Sequence, residues 1–213
     1  YKVPHLIYSA HPKKSRNIVA VLCIFILIIF SVLTIQRNKI WISEVSLWSD
    51  TLKKSPKKIR PIINLAQAYS KIGKFDLAIE YYEKAQTLNP NIFATNYNLA
   101  NLYLEKGREE DGLKLLKRAV LIRPKMAEVH GLLGEIYLKQ KKIKLAELHL
   151  KRAVESKSDY ALAMRNLGII YYFHLKKPKK AAVLFSRALS IDPNQKEADN
   201  IRTLIRLINP KNK

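Results

Sequence analysis

Asn64, Asn98 and Asn166 stand 34 and then 68 residues apart. A carboxamide carries both donors and an acceptor, so a row of them on one face can pair with the backbone of an extended polypeptide. A 34-residue period puts all three on the same inner face, with Leu132 interrupting the row at its third place. Around them stand the other candidates for ligand contact, Gln67, Asn101, Tyr97, Glu135 and Arg165. The competing role for these amides is bonding within the fold. Bases able to clamp an acidic peptide are few here: Arg60, Lys71, Lys139 and Arg165.

Other reactive groups form no pattern. His5, His11, His130, His149 and His174 make no i, i+3 or i+4 pair and have no acidic or Cys ligand spacing around them. His130 and His149 fall on adjacent helices of one repeat, where packing contact is expected rather than a metal. The single cysteine, Cys23, permits no disulfide framework and no thiolate zinc site within one chain. No Ser, His, Asp arrangement and no glycine-rich phosphate loop can be read. Glu109, Glu110 and Asp111 open a helix, where acids complement the macrodipole. No catalytic residue, metal or cofactor is therefore assigned.

The elements that position the amides repeat. Leu65, Leu99, Leu133 and Leu167 recur every 34 residues, as do Tyr69, Tyr103, Tyr137 and Tyr171. A small residue follows each Leu (Ala66, Ala100, Gly134, Gly168), leaving a gap into which Ala78 or Ala85 of the next helix could pack. Ala85, Ala119 and Ala153 recur, then Ala188 one residue late, and Pro90, Pro124 and Pro193 close three units, with Ser158 standing in at the third. This resembles the tetratricopeptide repeat over 59–195. The resemblance implies an all-α fold: a solenoid of about four helix pairs, at 59–92, 93–126, 127–160 and 161–195. It also implies that the asparagines correspond to groove residues that hold extended peptides. Gly73 and Gly107 sit at the turns within a pair, with Lys141 and Leu175 in the same slot later. The fourth unit carries one extra residue around Lys176, Lys177 and Pro178. Residues 41–55, within a juxtamembrane segment 37–58, read as the second helix of an incomplete repeat, and 196–213 as a capping helix and tail.

From Ile18 to Ile35 there are eighteen residues without a charge, roughly 27 Å of helix against a hydrocarbon core of roughly 30 Å. A transmembrane helix is expected at 18–36, behind a basic segment 1–17. A signal sequence would have a shorter core and a small-residue cleavage site, which Thr34 to Arg37 does not offer. The bases Lys13, Lys14 and Arg16 favour a cytoplasmic N-terminus. Trp41 reads as an interfacial anchor, Trp48 as packing. The run Lys53 to Arg60 could meet anionic headgroups, or be a plain solvated turn.

The junction 37–69 is more specific. Its Arg37, Asn38, Trp41, Glu44, Leu47, Trp48, Asp50, Lys54, Ser55, Pro56, Arg60, Pro61, Asn64 and Leu65 resemble the join between the last span and the repeats of polytopic transmembrane-and-tetratricopeptide-repeat proteins. It is also similar to bacterial relatives with a lipid-dependent glycosyltransferase core. The resemblance implies extracytoplasmic repeats and catalysis in a membrane core that lies outside this sequence. Since the first residue is Tyr1, the sequence is expected to be a piece of a longer protein or a processed product. The leading expectation is an interaction scaffold binding a polypeptide at the membrane, as the C-terminal part of such a protein. The alternative is a stand-alone anchored assembly factor for envelope machinery. Net charge is +22, which favours anionic partners generally. Nucleic acid is a disfavoured partner, because the bases lack interleaved aromatics and any recognised module.

Overall fold

The computed structural model describes residues 13–195 and 197–209. Residues 1–12 of the expected basic segment, with His5 and His11, lie outside the described residues, as do Lys196 and the 210–213 tail. Helix α1 runs Lys13–Ile40 and α2 Glu44–Lys54. Four pairs follow: α3 Ile59–Lys71 with α4 Phe75–Leu88, α5 Phe93–Glu105 with α6 Glu109–Ile122, α7 Ala127–Lys139 with α8 Ile143–Ser156, and α9 Ala161–Ile169 with α10 Pro178–Ile191. The closing helix is α11, Ala198–Ile208. The described residues contain no strand, and the whole is an α-solenoid in which each helix from α2 onward packs on its sequence neighbours.

Local chemistry sets the breaks. Ser43 caps α2, its hydroxyl accepting from the Ser46 amide at 3.1 Å, while the Ser43 amide donates back to the Ser46 hydroxyl at 3.2 Å. Pro178 starts α10 at the first turn, where its missing N–H is no loss. Gly73 and Gly107 turn the chain with φ of 73° and 76°, the left-handed region that suits glycine.

The core is the repeat pattern itself. Leu65, Leu99 and Leu133 are buried, as are Ala85, Ala119, Ala153 and Ala188. At Gly134 and Gly168, however, the gap beside the leucine is not filled by alanine. A Cβ on Gly134 would meet Leu150 Cγ at 2.5 Å, and one on Gly168 would meet Phe185 Cε1 at 2.6 Å. The larger side chain four residues after the alanine reaches further and takes the space.

The fourth unit also departs from expectation. In the first three pairs the turn closes by bonds of the same span: Lys74 to Tyr69, Arg108 to Tyr103 and Lys142 to Tyr137, amide to carbonyl. In the fourth, the Lys177 amide reaches Tyr171, one residue further back. The extra residue is therefore absorbed before Lys176, by a π-helical turn over Ile170–His174. Lys176, not Leu175, then occupies the left-handed slot, with φ 53°, matching Lys141 at 57°.

Candidate functional site

The first helices of the pairs carry the amides. Asn64 and Gln67 on α3 are half-buried and make no side-chain hydrogen bond among the described residues. Asn98 on α5 is half-buried, and its Nδ2 donates to the Tyr82 hydroxyl at 3.0 Å. Burial pushes the Tyr82 phenol up to about 12, and the Asn98 bond partly opposes that. Asn101 donates from Nδ2 to the Tyr97 carbonyl at 3.0 Å. Both asparagines keep Oδ1 and a second N–H for a ligand. Asn166 is different: it is 6% exposed, with the Arg165 guanidinium against its Oδ1 at 3.3 and 3.4 Å. Two repeats thus present open amides, and the fourth closes its amide under an arginine.

The middle of this face is aromatic and acidic. Tyr97 stacks on Phe93, centroids 5.7 Å apart, and Arg123 lies over the Phe93 ring at 4.5 Å. Tyr160, at the entry to α9, lays its phenol across α7, where a Cβ on Gly131 would sit 2.7 Å from its hydroxyl. Burial raises the Tyr160 pKa first, then the neighbouring charges of Glu128, Tyr97 and Glu135 add to it. Glu128 and Glu135 are each loosely paired, to Lys157 and Lys139, both at 3.5 Å. The sequence singles out Tyr97, Glu135 and Arg165 as candidates; the structure sets Tyr160, Glu128 and Gly131 beside them, which the sequence does not single out. Gly131 was the available signal: it holds the place filled by Ile63, Tyr97 and Arg165 in the other repeats, and so leaves room for a neighbour's ring.

Histidine serves the fold. His130 is fully buried, its Nε2 2.9 Å from the Pro124 carbonyl and its Nδ1 2.9 Å from His149 Nδ1. A carbonyl only accepts, so Nε2 carries the proton, and His149 must donate to His130 Nδ1. Asn96 does the same work one repeat earlier, donating to the carbonyl of Pro90 at 2.7 Å. Each polar side chain ties its first helix to the proline that ends the preceding unit. Burial, then His130, then Arg152 lower His149 to about 4. No cluster able to hold a metal occurs among the described residues.

Elsewhere, Trp41 is exposed and Trp48 half-buried. A cleft of about 510 Å³ opens at the C-terminal end between Tyr172, Phe173, Lys176, Pro178, Leu207 and Ile208.

Comparison with known proteins agrees with this architecture. Models of the tetratricopeptide repeat match residues 62–92, 91–159 and 132–196. Among solved structures, the chain is similar to YrrB, described as a tetratricopeptide-repeat protein with an unusual peptide-binding site, at 20% identity and TM-score 0.63, covering 78% of this chain and 93% of that one. It is similar to MamA at 26% identity and TM-score 0.59, covering 68% and 82%. PilF of Pseudomonas aeruginosa follows at 20% and 0.57, covering 72% and 68%. No curated protein sequence matches the chain. With its repeat register, its stacked helix pairs and these matches spanning 62–196, the chain belongs to the tetratricopeptide-repeat family.

Proposed function

We propose that the chain is a membrane-anchored scaffold that holds an extended polypeptide along the face made by its first helices. The observation that carries this reading is the set of half-buried amides at Asn64, Gln67, Asn98 and Asn101, on successive first helices. Spare acceptors and donors at a repeat interval fit a peptide backbone better than any small molecule. Tyr97 and Arg165 supply flanking contacts, with Glu135 and Asn166 at the margins. YrrB has an unusual peptide-binding site, and a peptide ligand is carried over from it as part of this proposal. The repeat fold of this chain makes a protein or peptide the natural partner.

The anchor is α1. Its most apolar eighteen-residue window, within Asn17–Lys39, has a mean hydropathy of 3.3, and none of that window is buried. Burial in lipid is what such an apolar helix requires. The junction at 37–69 supports the finer reading that the chain is the C-terminal part of a polytopic glycosyltransferase-like protein with extracytoplasmic repeats.

Display selection of dodecapeptides against the chain in nanodiscs, then anisotropy titration, tests the groove. Asn64→Ala and Asn98→Ala should each weaken a selected peptide by about 1 kcal/mol, roughly fivefold. Unchanged affinity in both variants refutes it. Alkaline carbonate extraction tests the anchor, which must stay with the membrane pellet. The transferase link is tested by sugar transfer from a polyprenyl-phosphate donor by the whole gene product, with and without 59–213. Equal activity and selectivity would reject a role for the repeats.

A further inference from the structure

We infer that one long edge of the solenoid, the edge where the two helices of each pair are joined, docks on an anionic lipid surface. This rests on the reading that α1 enters a bilayer.

The edge is continuous with the end of α1. Lys71, at the end of α3, bonds Glu44 at the start of α2 at 2.7 Å. One step on, Lys106 at the end of α5 bonds Asp76 in α4 at 2.6 Å. One step further, Gln140 after α7 bonds Glu109 at the start of α6 at 3.0 Å. These contacts align the start of α2 with the first three intra-pair turns, and only Trp41, Ile42 and Ser43 separate α2 from α1. The first three intra-pair turns therefore share the side on which α1 ends, and the fourth pair continues the same stack, α9 packing on α8.

The composition of this edge changes along its length. Next to α1 it is apolar and aromatic: Trp41 is 65% exposed, Ile42 78% and Ile72 56%. Indole and aliphatic groups of this kind partition to the bilayer interface. The second turn is mixed, with Glu105, Glu109, Glu110 and Asp111 beside Lys106 and Arg108; beyond it the edge becomes basic. The stretches 139–146 and 174–182 hold eight lysines and no acid. Two of these lysines, Lys141 and Lys176, occupy the left-handed turn positions held by Gly73 and Gly107 in the first two repeats. Lysine is a poor choice there for stability, and an electrostatic role for the side chain accounts for it. Interfacial aromatics followed by clustered lysines are the chemistry of an anionic bilayer surface.

The run Lys53 to Arg60, for which the sequence leaves headgroup contact and a plain solvated turn both open, lies at the other end of α2. Eleven residues of helix separate it from the edge, about 16 Å. It serves as the internal control.

The test is amine-reactive footprinting of the whole chain in nanodiscs of phosphatidylcholine alone or with phosphatidylglycerol. Labelling of Lys141, Lys142, Lys176 and Lys177 should slow by about fivefold in the anionic discs, and recover in high salt. Lys53, Lys54, Lys57 and Lys58 should label equally in both. The variant K141G/K142Q/K176G/K177Q, with glycine suited to the two turns, should keep its helical circular dichroism and lose its preference for anionic discs. Equal labelling of the four edge lysines in both discs, or protection of Lys53–Lys58 instead, overturns the inference. So does stronger protection by a DNA dodecamer than by anionic lipid at equal charge. If α1 fails to insert, the anchor reading falls. Anionic vesicles added to the chain must then protect the same four lysines, or this inference falls with it.

Discussion

Lowering the pH should weaken this solenoid through His149, and the size of the effect follows from its surroundings. Unfolded, the imidazole takes a proton near 6.5; folded, it resists until about 4. Between those values the unfolded chain binds more protons than the folded one, so stability falls as pH drops. The loss begins near pH 7 and ends near pH 4, because below that both states are protonated. Undiscounted, the full difference is about 3.4 kcal/mol, of which about 2 kcal/mol is lost by pH 5. His149 is only half-buried, and solvent screening reduces this to about 1 kcal/mol at pH 5. Urea unfolding of the chain in micelles, followed by helical circular dichroism, measures it as a shift in midpoint. His149→Gln isolates the group, because glutamine can still donate to His130 Nδ1 but cannot titrate. Subtracting the variant's pH profile removes the common contribution of the carboxylates. The wild type should lose about 1 kcal/mol more than His149→Gln between pH 7.5 and pH 5. Parallel profiles would refute the reasoning, as would a wild type that gains stability on acidification.

Further perturbations have clear signs. Thr95 is fully buried with its hydroxyl unpartnered, while the same place holds Val129 one repeat on; Thr95→Val should raise stability by about 1 kcal/mol in the same urea assay. Gly134→Ala puts a methyl 2.5 Å from Leu150 Cγ and 3.3 Å from its backbone N, and should cost about 1–3 kcal/mol. Lys141→Gly and Lys176→Gly relieve left-handed strain and should each add about 0.5–1 kcal/mol, read as a higher unfolding midpoint. His130→Asn should retain the bond to the Pro124 carbonyl, as Asn96 does to Pro90, and stay within about 1 kcal/mol of the wild type at neutral pH; His130→Leu should lose clearly more.

The repeat was legible because stacking imposes one solution on every unit: bulk at Leu65 and its counterparts, a gap beside it, and a turn two helix ends later. Periodicity alone therefore located the helix pairs and the first-helix amides. It could not show that Asn166 is covered while Asn64 and Asn98 are open, since that depends on Arg165, which the other repeats lack at that place. Nor could it locate the inserted residue. Proline at 178 drew the expectation to the turn, whereas the structure takes up the residue by widening the end of α9 into a π turn over Ile170–His174. The contact of His130 with His149 was anticipated as packing; its hydrogen bonds, and the equivalence with Asn96, needed atomic positions.

The sequence by itself determined the all-helical solenoid, the repeat register and the long apolar helix that precedes it, because each follows from the spacing of side chains along one chain. Tertiary structure alone decided which amides remain open, which tyrosine lies over Gly131, and that Lys71, Lys106 and Gln140 each reach the start of the preceding second helix. Those are distances between helices, and they are set by how the pairs stack rather than by any local run of residues.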